Sequence, residues 1–324
     1  MKITVFGAGN YGIAIAMMLA KKKENEVLIW TENKNTFDEF MKTHKFTSKF
    51  PDLDIPNSIS ITMDNKKALE DAGLIFLITA SKYTYSLCKD LKKYYNGTPI
   101  CIASKGLDDK TLKPLSYIVE NTLNTKNVTV ISGPTFAVDL VRNHPAALAI
   151  AGNNKVIKLV KDNLANESLK LRKSSDILGI QLCGSVKNII AIAAGILKGL
   201  GYSETTQAFL INESLHDMKN ILASLGAKKR TILSFAGVGD LILTCSSEKS
   251  RNYSFGYVIG STKDKKKIDE YLSNNTVEGY NALKYVYTIL NKKRKKIPLV
   301  NVIYDIIYNN EDPNTLAKFL INKD

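Results

Sequence analysis

Lys187 is the residue whose setting most needs a chemical explanation. It stands in the run Ile180-Gln-Leu-Cys-Gly-Ser-Val-Lys-Asn-Ile-Ile-Ala-Ile-Ala-Ala-Gly195, which reads as an apolar helix, and Ile189, Ile190 and Ile192 follow it closely. An ammonium held away from water is costly unless it is paired, loses its proton or meets an anion. Burial also pulls a lysine pKa down toward neutrality, so a lysine so placed can give and take a proton at working pH. The competing reading is a lysine that snorkels to the surface from a helix end.

The second chemical signal lies at the N-terminus. Ile3-Thr-Val-Phe-Gly-Ala-Gly-Asn-Tyr-Gly12 reads as a β-branched and aromatic strand running into G-x-G-x-x-G. A helical pattern from Ile13 to Ala20 and a second strand, Glu26 to Trp30, complete a βαβ unit. In such a unit Gly7 serves the tight turn, Gly9 lets backbone approach a pyrophosphate, and Gly12 allows close packing of the helix. The free N–H groups of the helix start then face the anion.

These groups need a scaffold, and the sequence patterning predicts one. Strands are expected at Ile59 to Thr62, Leu74 to Thr79, Ile100 to Ala103, Val128 to Ser132 and Ala147 to Ala151. Amphipathic stretches such as Tyr83 to Tyr95 and Lys110 to Leu123 lie between several of them. This alternation predicts a largely parallel, doubly wound α/β sheet. Beyond about Ile180 long helical periods take over: Ser185 to Leu200, Glu204 to Leu225, Thr276 to Leu290 and Val300 to Tyr308. The change sets an expected boundary near Leu178, between a Rossmann-type dinucleotide domain (1–178) and an all-α substrate-binding domain (179–324).

Composition narrows the function class. The 324 residues suit about two domains, and 44% hydrophobic residues is ample for two cores. No apolar run is read as long enough to span a membrane, and the N-terminus reads as a strand rather than a cleavable signal. No membrane insertion and a cytoplasmic location are therefore expected. Cys88, Cys101, Cys183 and Cys245 show no C-x-x-C spacing, which predicts reduced thiols and no metal. The net charge of +14, from 45 basic against 31 acidic residues, is spread over single lysines and short runs such as Lys263-Asp-Lys-Lys-Lys267 and Lys292-Lys-Arg-Lys-Lys296. That distribution disfavours nucleic acid and suits a solvated surface with small anionic substrates.

With these readings in place, the chain resembles the bacterial-type NAD(P)-dependent sn-glycerol-3-phosphate dehydrogenases along essentially its whole length. The matching motifs, in order, are Gly7-Ala-Gly-Asn-Tyr-Gly12, Ser104-Lys-Gly106, Ile131-Ser-Gly-Pro-Thr-Phe-Ala137, Gln181-Leu-Cys-Gly-Ser-Val-Lys-Asn188, Gly237-Val-Gly-Asp-Leu-Ile-Leu-Thr-Cys245, Ser250-Arg-Asn252 and Val277-Glu-Gly279. The resemblance implies a Rossmann-type domain followed by a helical domain of the 6-phosphogluconate dehydrogenase kind. It also implies reversible hydride transfer between NAD(P)H and dihydroxyacetone phosphate, giving sn-glycerol 3-phosphate for phospholipid synthesis. A homodimer is compatible with this pattern but not fixed by it.

Hydride reduction of a ketone develops an alkoxide, so a proton donor and positive charge are needed near the oxygen. The chain has only three histidines, His44, His144 and His216, and none lies in a matching motif. The resemblance makes Lys187 the proton-transferring residue and Lys105 a second lysine on substrate and cofactor, with Asp240 holding Lys187. Two ammoniums in one site are expected to lower each other's proton affinity. Ser250, Arg251 and Asn252, with Thr244, are expected to take the substrate phosphate. Gly133, Thr135 and Ala137 are expected to line the nicotinamide end. Asn10, Tyr11, Ser81, Val277 and Glu278, with Arg251 in a second role, complete the cofactor set implied by the resemblance.

Three departures stand out. Trp30-Thr31-Glu32 puts an acid where many members carry Arg or His, which favours a free ribose 2′-hydroxyl and hence NADH over NADPH. Asn212-Glu-Ser214 replaces Thr-Arg-Gly, and Thr79-Ala-Ser81 replaces Val-Pro-Ser. Two other functions are compatible with the fold. A hydroxyacid or ketoacid reductase would not need the Arg251-Asn252 pocket, and a non-catalytic dinucleotide sensor would have no use for Lys187, Lys105 and Asp240 together.

Overall fold

The computed structural model describes residues 1–108, 110–262 and 264–323; Lys263, which opens the basic run 263–267, lies outside them. The chain divides into two compact units. One comprises Met1–Ser104 and Lys113–Ile177; the other comprises Lys105–Leu112 and Leu178–Asp324. The short segment Lys105–Leu112 thus belongs with the second unit although the first surrounds it in sequence, an assignment that local pattern does not disclose.

The first unit is built on eight strands: β1 (Lys2–Phe6), β2 (Glu26–Trp30), β3 (Ile59–Thr62), β4 (Leu74–Leu77), β5 (Ile100–Ile102), β6 (Val128–Ser132), β7 (Ala146–Gly152) and β8 (Leu169–Lys173). Their order in the sheet is β3-β2-β1-β4-β5-β6-β7-β8, and every neighbouring pair is parallel except β6 with β7. In β1 consecutive positions are buried because both faces of a parallel sheet are covered; Ile3, Val5 and Phe6 are fully buried. Phe6 stands opposite Trp30 on one side and Leu77 on the other. The order reverses between β1 and β4, the switch point at whose carboxyl edge dinucleotides bind in such sheets. β8 was not anticipated: Leu169-Lys-Leu-Arg-Lys alternates buried and exposed at the sheet edge, where its charges protect an open strand. The stretch Lys110 to Leu123 becomes helical only at Leu115, after Pro114, whose ring disfavours a helical residue before it.

Among the described residues the second unit has no strand. Its helices include Ile177–Gly199, Glu204–Ser224, Asp240–Cys245, Arg251–Ser261, Glu278–Lys292 and Pro298–Tyr308. The first of these corrects the sequence reading twice. It begins at Ile177 rather than Ser185, and its 23 residues include an 18-residue stretch of mean hydropathy 1.6, long and apolar enough to cross a membrane. Its most apolar stretch is 89% buried within the protein, which marks it as a core helix. Polar residues such as Gln181 and Ser185 break the apolar run in the sequence, yet both are buried.

Helices Ile177–Gly199 and Arg251–Ser261 meet backbone to backbone. A Cβ at Gly195 would lie 1.9 Å from the Tyr253 carbonyl oxygen, one at Gly256 1.9 Å from that of Ile192, and one at Gly260 2.1 Å from that of Ile196. No side chain fits in this seam. It sets the helix carrying Lys187 directly against the helix that begins with Arg251.

Candidate active site and dinucleotide site

Lys187 lies in mid-helix, and every residue from Gly179 to Leu197 around it is buried. Its side chain is only 5% exposed, so it does not snorkel to the surface. Its Nζ donates to Asp240 Oδ1 at 2.7 Å and to Thr244 Oγ1 at 2.5 Å. Asp240 opens a helix, where a carboxylate is favoured by the free N–H groups and dipole of the first turn. The wide turn before it depends on Gly237, since a Cβ there would lie 2.0 Å from the Ile232 carbonyl oxygen. Thr244 follows Asp240 by four residues and so shares its helix face. Its hydroxyl donates to the Asp240 carbonyl at 2.6 Å, which leaves its lone pairs to the Lys187 ammonium.

Lys105 completes the cluster. Its Nζ lies 2.9 Å from Asp240 Oδ2, so one buried carboxylate bridges two lysines. Lys105 is 21% exposed and is the wetter of the two. The Lys187 pKa falls from 10.5 to about 8. Burial is the largest cause, Asp240 opposes it, and the charge of Lys105 adds to the fall. Repulsion between the ammoniums, expected from the sequence, acts in the expected direction but is a smaller cause than burial. Cys183 and Cys245 are buried, and burial pushes the Cys245 thiol up to about 12, so it stays protonated.

The remaining residues of the second unit converge on the same helix. Asn188, next to Lys187, donates from Nδ2 to Glu278 Oε2 at 3.2 Å. Asn252 accepts from the Gly279 N–H at 2.8 Å, which commits its amide oxygen within the protein. Ser250 caps helix Arg251–Ser261, its Oγ accepting from the Tyr253 N–H at 3.3 Å. Arg251 is exposed at the first position of that helix, and Val277 is buried just before Glu278. Sequence spacing alone did not predict the Asn188–Glu278 and Asn252–Gly279 bonds, because their partners lie 90 and 27 residues apart.

In the first unit the glycine loop divides its roles as the motif requires. Gly7 has φ +124, and a Cβ there would lie 2.8 Å from the Ile78 carbonyl oxygen. A Cβ on Gly12 would lie 1.8 Å from the Gly7 carbonyl oxygen, so the helix start needs a glycine to pack. A Cβ on Gly9 would meet nothing within 4 Å; this position is open toward solvent or ligand. Helix Asn10–Ala20 has no side-chain cap at its start, the arrangement of a helix N-terminus that receives an anion. Tyr11 also reaches Thr135, hydroxyl to hydroxyl, at 3.1 Å. Gly133 serves the fold: a Cβ there would lie 2.9 Å from the Ala147 carbonyl oxygen on β7. Ala137 begins the short helix Ala137–Val141, Ser81 begins a single turn after β4, and Glu32 is exposed in the turn after β2.

A dinucleotide fits these residues. Besides the open glycine and the uncapped helix, three buried polar groups at the carboxyl ends of strands have no hydrogen-bond partner among the described residues: Trp30 Nε1, Thr79 Oγ1 and Ser132 Oγ. Buried polar groups are normally paired, so this edge of the sheet is short of a polar partner.

Comparison with known proteins agrees with this geometry. Residues 2–158 match the family NAD-dependent glycerol-3-phosphate dehydrogenase N-terminus, and residues 176–318 match the family NAD-dependent glycerol-3-phosphate dehydrogenase C-terminus. The chain is 35% identical over 328 residues to glycerol-3-phosphate dehydrogenase (NAD(P)+) of Thermoanaerobacter sp. strain X514, covering 100% of this chain and 98% of that one. It is 34% identical over 316 residues to the protein of that name from Clostridium botulinum, covering 97% and 95%. Among solved structures it is similar to glycerol-3-phosphate dehydrogenase from Coxiella burnetii, with a TM-score of 0.93, 30% identity and 99% of each chain covered.

Proposed function

The chain belongs to the NAD-dependent glycerol-3-phosphate dehydrogenase family, and we propose that Lys187, Lys105 and Asp240 carry the family's reaction here. The enzyme interconverts dihydroxyacetone phosphate and sn-glycerol 3-phosphate with NAD(P) as the redox partner. The observation that carries the assignment of residues is the buried Lys187–Asp240–Lys105 cluster.

When bound, the dinucleotide supplies or accepts the hydride. The protein manages the proton. Lys187 gives two donors to Asp240 and Thr244, which fix its direction, and a third donor serves the carbonyl oxygen of the substrate. In reduction this ammonium protonates the developing alkoxide; in oxidation the neutral amine takes the hydroxyl proton. A pKa of about 8 suits both directions, since each form is populated near neutral pH. Lys105 adds positive charge on the other side of Asp240 and stabilises the alkoxide. The assay that tests the whole reading is oxidation of NADH and NADPH by dihydroxyacetone phosphate, followed at 340 nm as absorbance of the reduced nicotinamide. No turnover with either cofactor would refute it.

Arg251 and the helix start behind it are assigned to the substrate phosphate. Arg251→Ala is expected to raise KM for dihydroxyacetone phosphate about tenfold or more with little change in kcat, because a charge-assisted contact present throughout the reaction is lost. Unphosphorylated dihydroxyacetone is the control and should respond little. An unchanged KM would place the phosphate elsewhere.

Glu32 is assigned to the adenosine ribose, where its carboxylate accepts from ribose hydroxyls and repels a 2′-phosphate. The wild type is then expected to prefer NADH, and Glu32→Arg to shift the ratio of kcat/KM for NADPH over NADH upward by about tenfold or more. Equal use of both cofactors by the wild type, or no shift in the variant, removes Glu32 from the site. We further assign a cytoplasmic location and a homodimer, the latter tested by sedimentation equilibrium.

A further inference from the structure

Thr79 lies two residues beyond β4, with its hydroxyl oxygen shielded from solvent and without a hydrogen-bond partner among the described residues. Its main chain is fixed. The Ser104 hydroxyl donates to the Thr79 carbonyl at 2.6 Å and to that of Leu77 at 3.2 Å, so the strand end is tied to the loop after β5. It also borders the glycine loop: the position a Cβ of Gly7 would occupy is 3.3 Å from the Thr79 nitrogen.

Trp30 flanks the same turn from the other side. The Gly7 N–H donates to the Trp30 carbonyl at 2.9 Å, and the Trp30 indole N–H is likewise buried and unpaired. Of the eight buried side-chain atoms without a partner among the described residues, two belong to residues that flank this one glycine turn; a buried hydroxyl without a partner destabilises the fold, and a valine would fill the same volume without that cost. A dinucleotide at this turn places phosphate and ribose oxygens beside it.

We propose that the Thr79 hydroxyl is a cofactor-binding group, hydrogen-bonded to the ribose–pyrophosphate portion of the dinucleotide. This rests on the dinucleotide site described above and adds a side-chain contact from β4 to the backbone contacts of the glycine loop. The contact costs the ligand-free protein stability and returns it as affinity, so one substitution should move the two quantities in opposite directions.

The test is Thr79→Val, which keeps the shape and removes the hydroxyl, alongside Thr79→Ser, which keeps the hydroxyl. Trp30 is the only tryptophan in the chain and reports binding by quenching when NADH is titrated. ADP-ribose, which lacks the nicotinamide, is titrated by calorimetry. Thr79→Val is expected to bind both ligands about three- to tenfold more weakly, the loss of one net hydrogen bond. Thr79→Ser should stay within about twofold of wild type.

Without ligand, the melting temperature of Thr79→Val should rise by about 2 °C, since an unsatisfied buried hydroxyl is gone. Wild-type affinity for both ligands in Thr79→Val overturns the proposal. A fall in its ligand-free melting temperature does so too, because the hydroxyl would then have been bonded within the folded chain. If the wild type binds neither ligand, the dinucleotide site itself is refuted, and the assignment of Thr79 falls with it.

Discussion

Replacing Lys187 with methionine is expected to lower kcat for dihydroxyacetone phosphate reduction by about 10²-fold or more, while the protein still folds and binds NADH. The substitution is nearly isosteric and replaces a buried ammonium with an apolar chain. Asp240 is not left alone, because Lys105 still pairs with its Oδ2 at 2.9 Å. The pH profile gives the more specific signature. With the Lys187 pKa at about 8, kcat/KM for reduction should fall as pH rises through 8, because the proton donor is lost. For oxidation it should rise through the same pH, because the amine is then the base. Both limbs should vanish in Lys187→Met. Near-wild-type turnover, or retention of both limbs, would remove Lys187 from proton transfer.

Asp240→Asn is expected to affect stability and activity together. The carboxylate, 2% exposed, is the shared counter-charge of two lysines, and an amide of the same shape leaves the Lys187 ammonium buried without it. Removing one partner of a buried ion pair typically costs about 3–5 kcal/mol. Part of that cost can be avoided by deprotonating Lys187. Its pKa should therefore move below 8, since Asp240 is the group that opposes the lowering by burial. In reduction the activity limb then shifts to lower pH, and kcat at pH 7.5 falls along with the proton donor. Thermal unfolding and a pH–rate profile measure both effects. Wild-type stability together with an unmoved limb would mean that Asp240 is not the charge that holds this cluster together.

How far these properties can be read from sequence depends on the range of the interaction that creates them. β6 runs from Val128 to Ser132 as expected, because four strand-forming residues in succession, Val128 to Ile131, leave little choice. The burial of Lys187 follows from its apolar neighbours within one helical turn. Its partner does not: Asp240 is 53 residues away, and in the sequence only the resemblance joined them. Lys105–Leu112 belongs with the helical unit for a similar reason, since tertiary contacts rather than local propensity decide where a loop rests. β8 was missed because its three cationic residues suggest a solvated segment, although alternation at an edge strand accommodates them. The unpaired hydroxyl of Thr79 is of the same kind, because nothing in Thr79-Ala-Ser81 says whether a threonine finds a partner.

The glycine seam between the Lys187 helix and the Arg251 helix has a consequence for the entropy of binding. Most helix pairs are spaced by side chains that hop between rotamers, and each such spacer must be ordered before the groups on either side hold a fixed separation. Here main-chain atoms of one helix rest on those of the other, at Gly195, Gly256 and Gly260, with no rotatable group between them. The distance between the two helices is then set by van der Waals contact between main chains and does not depend on side-chain rotamers. Substrate binding has no spacer torsions to freeze along this contact, and warming excites none.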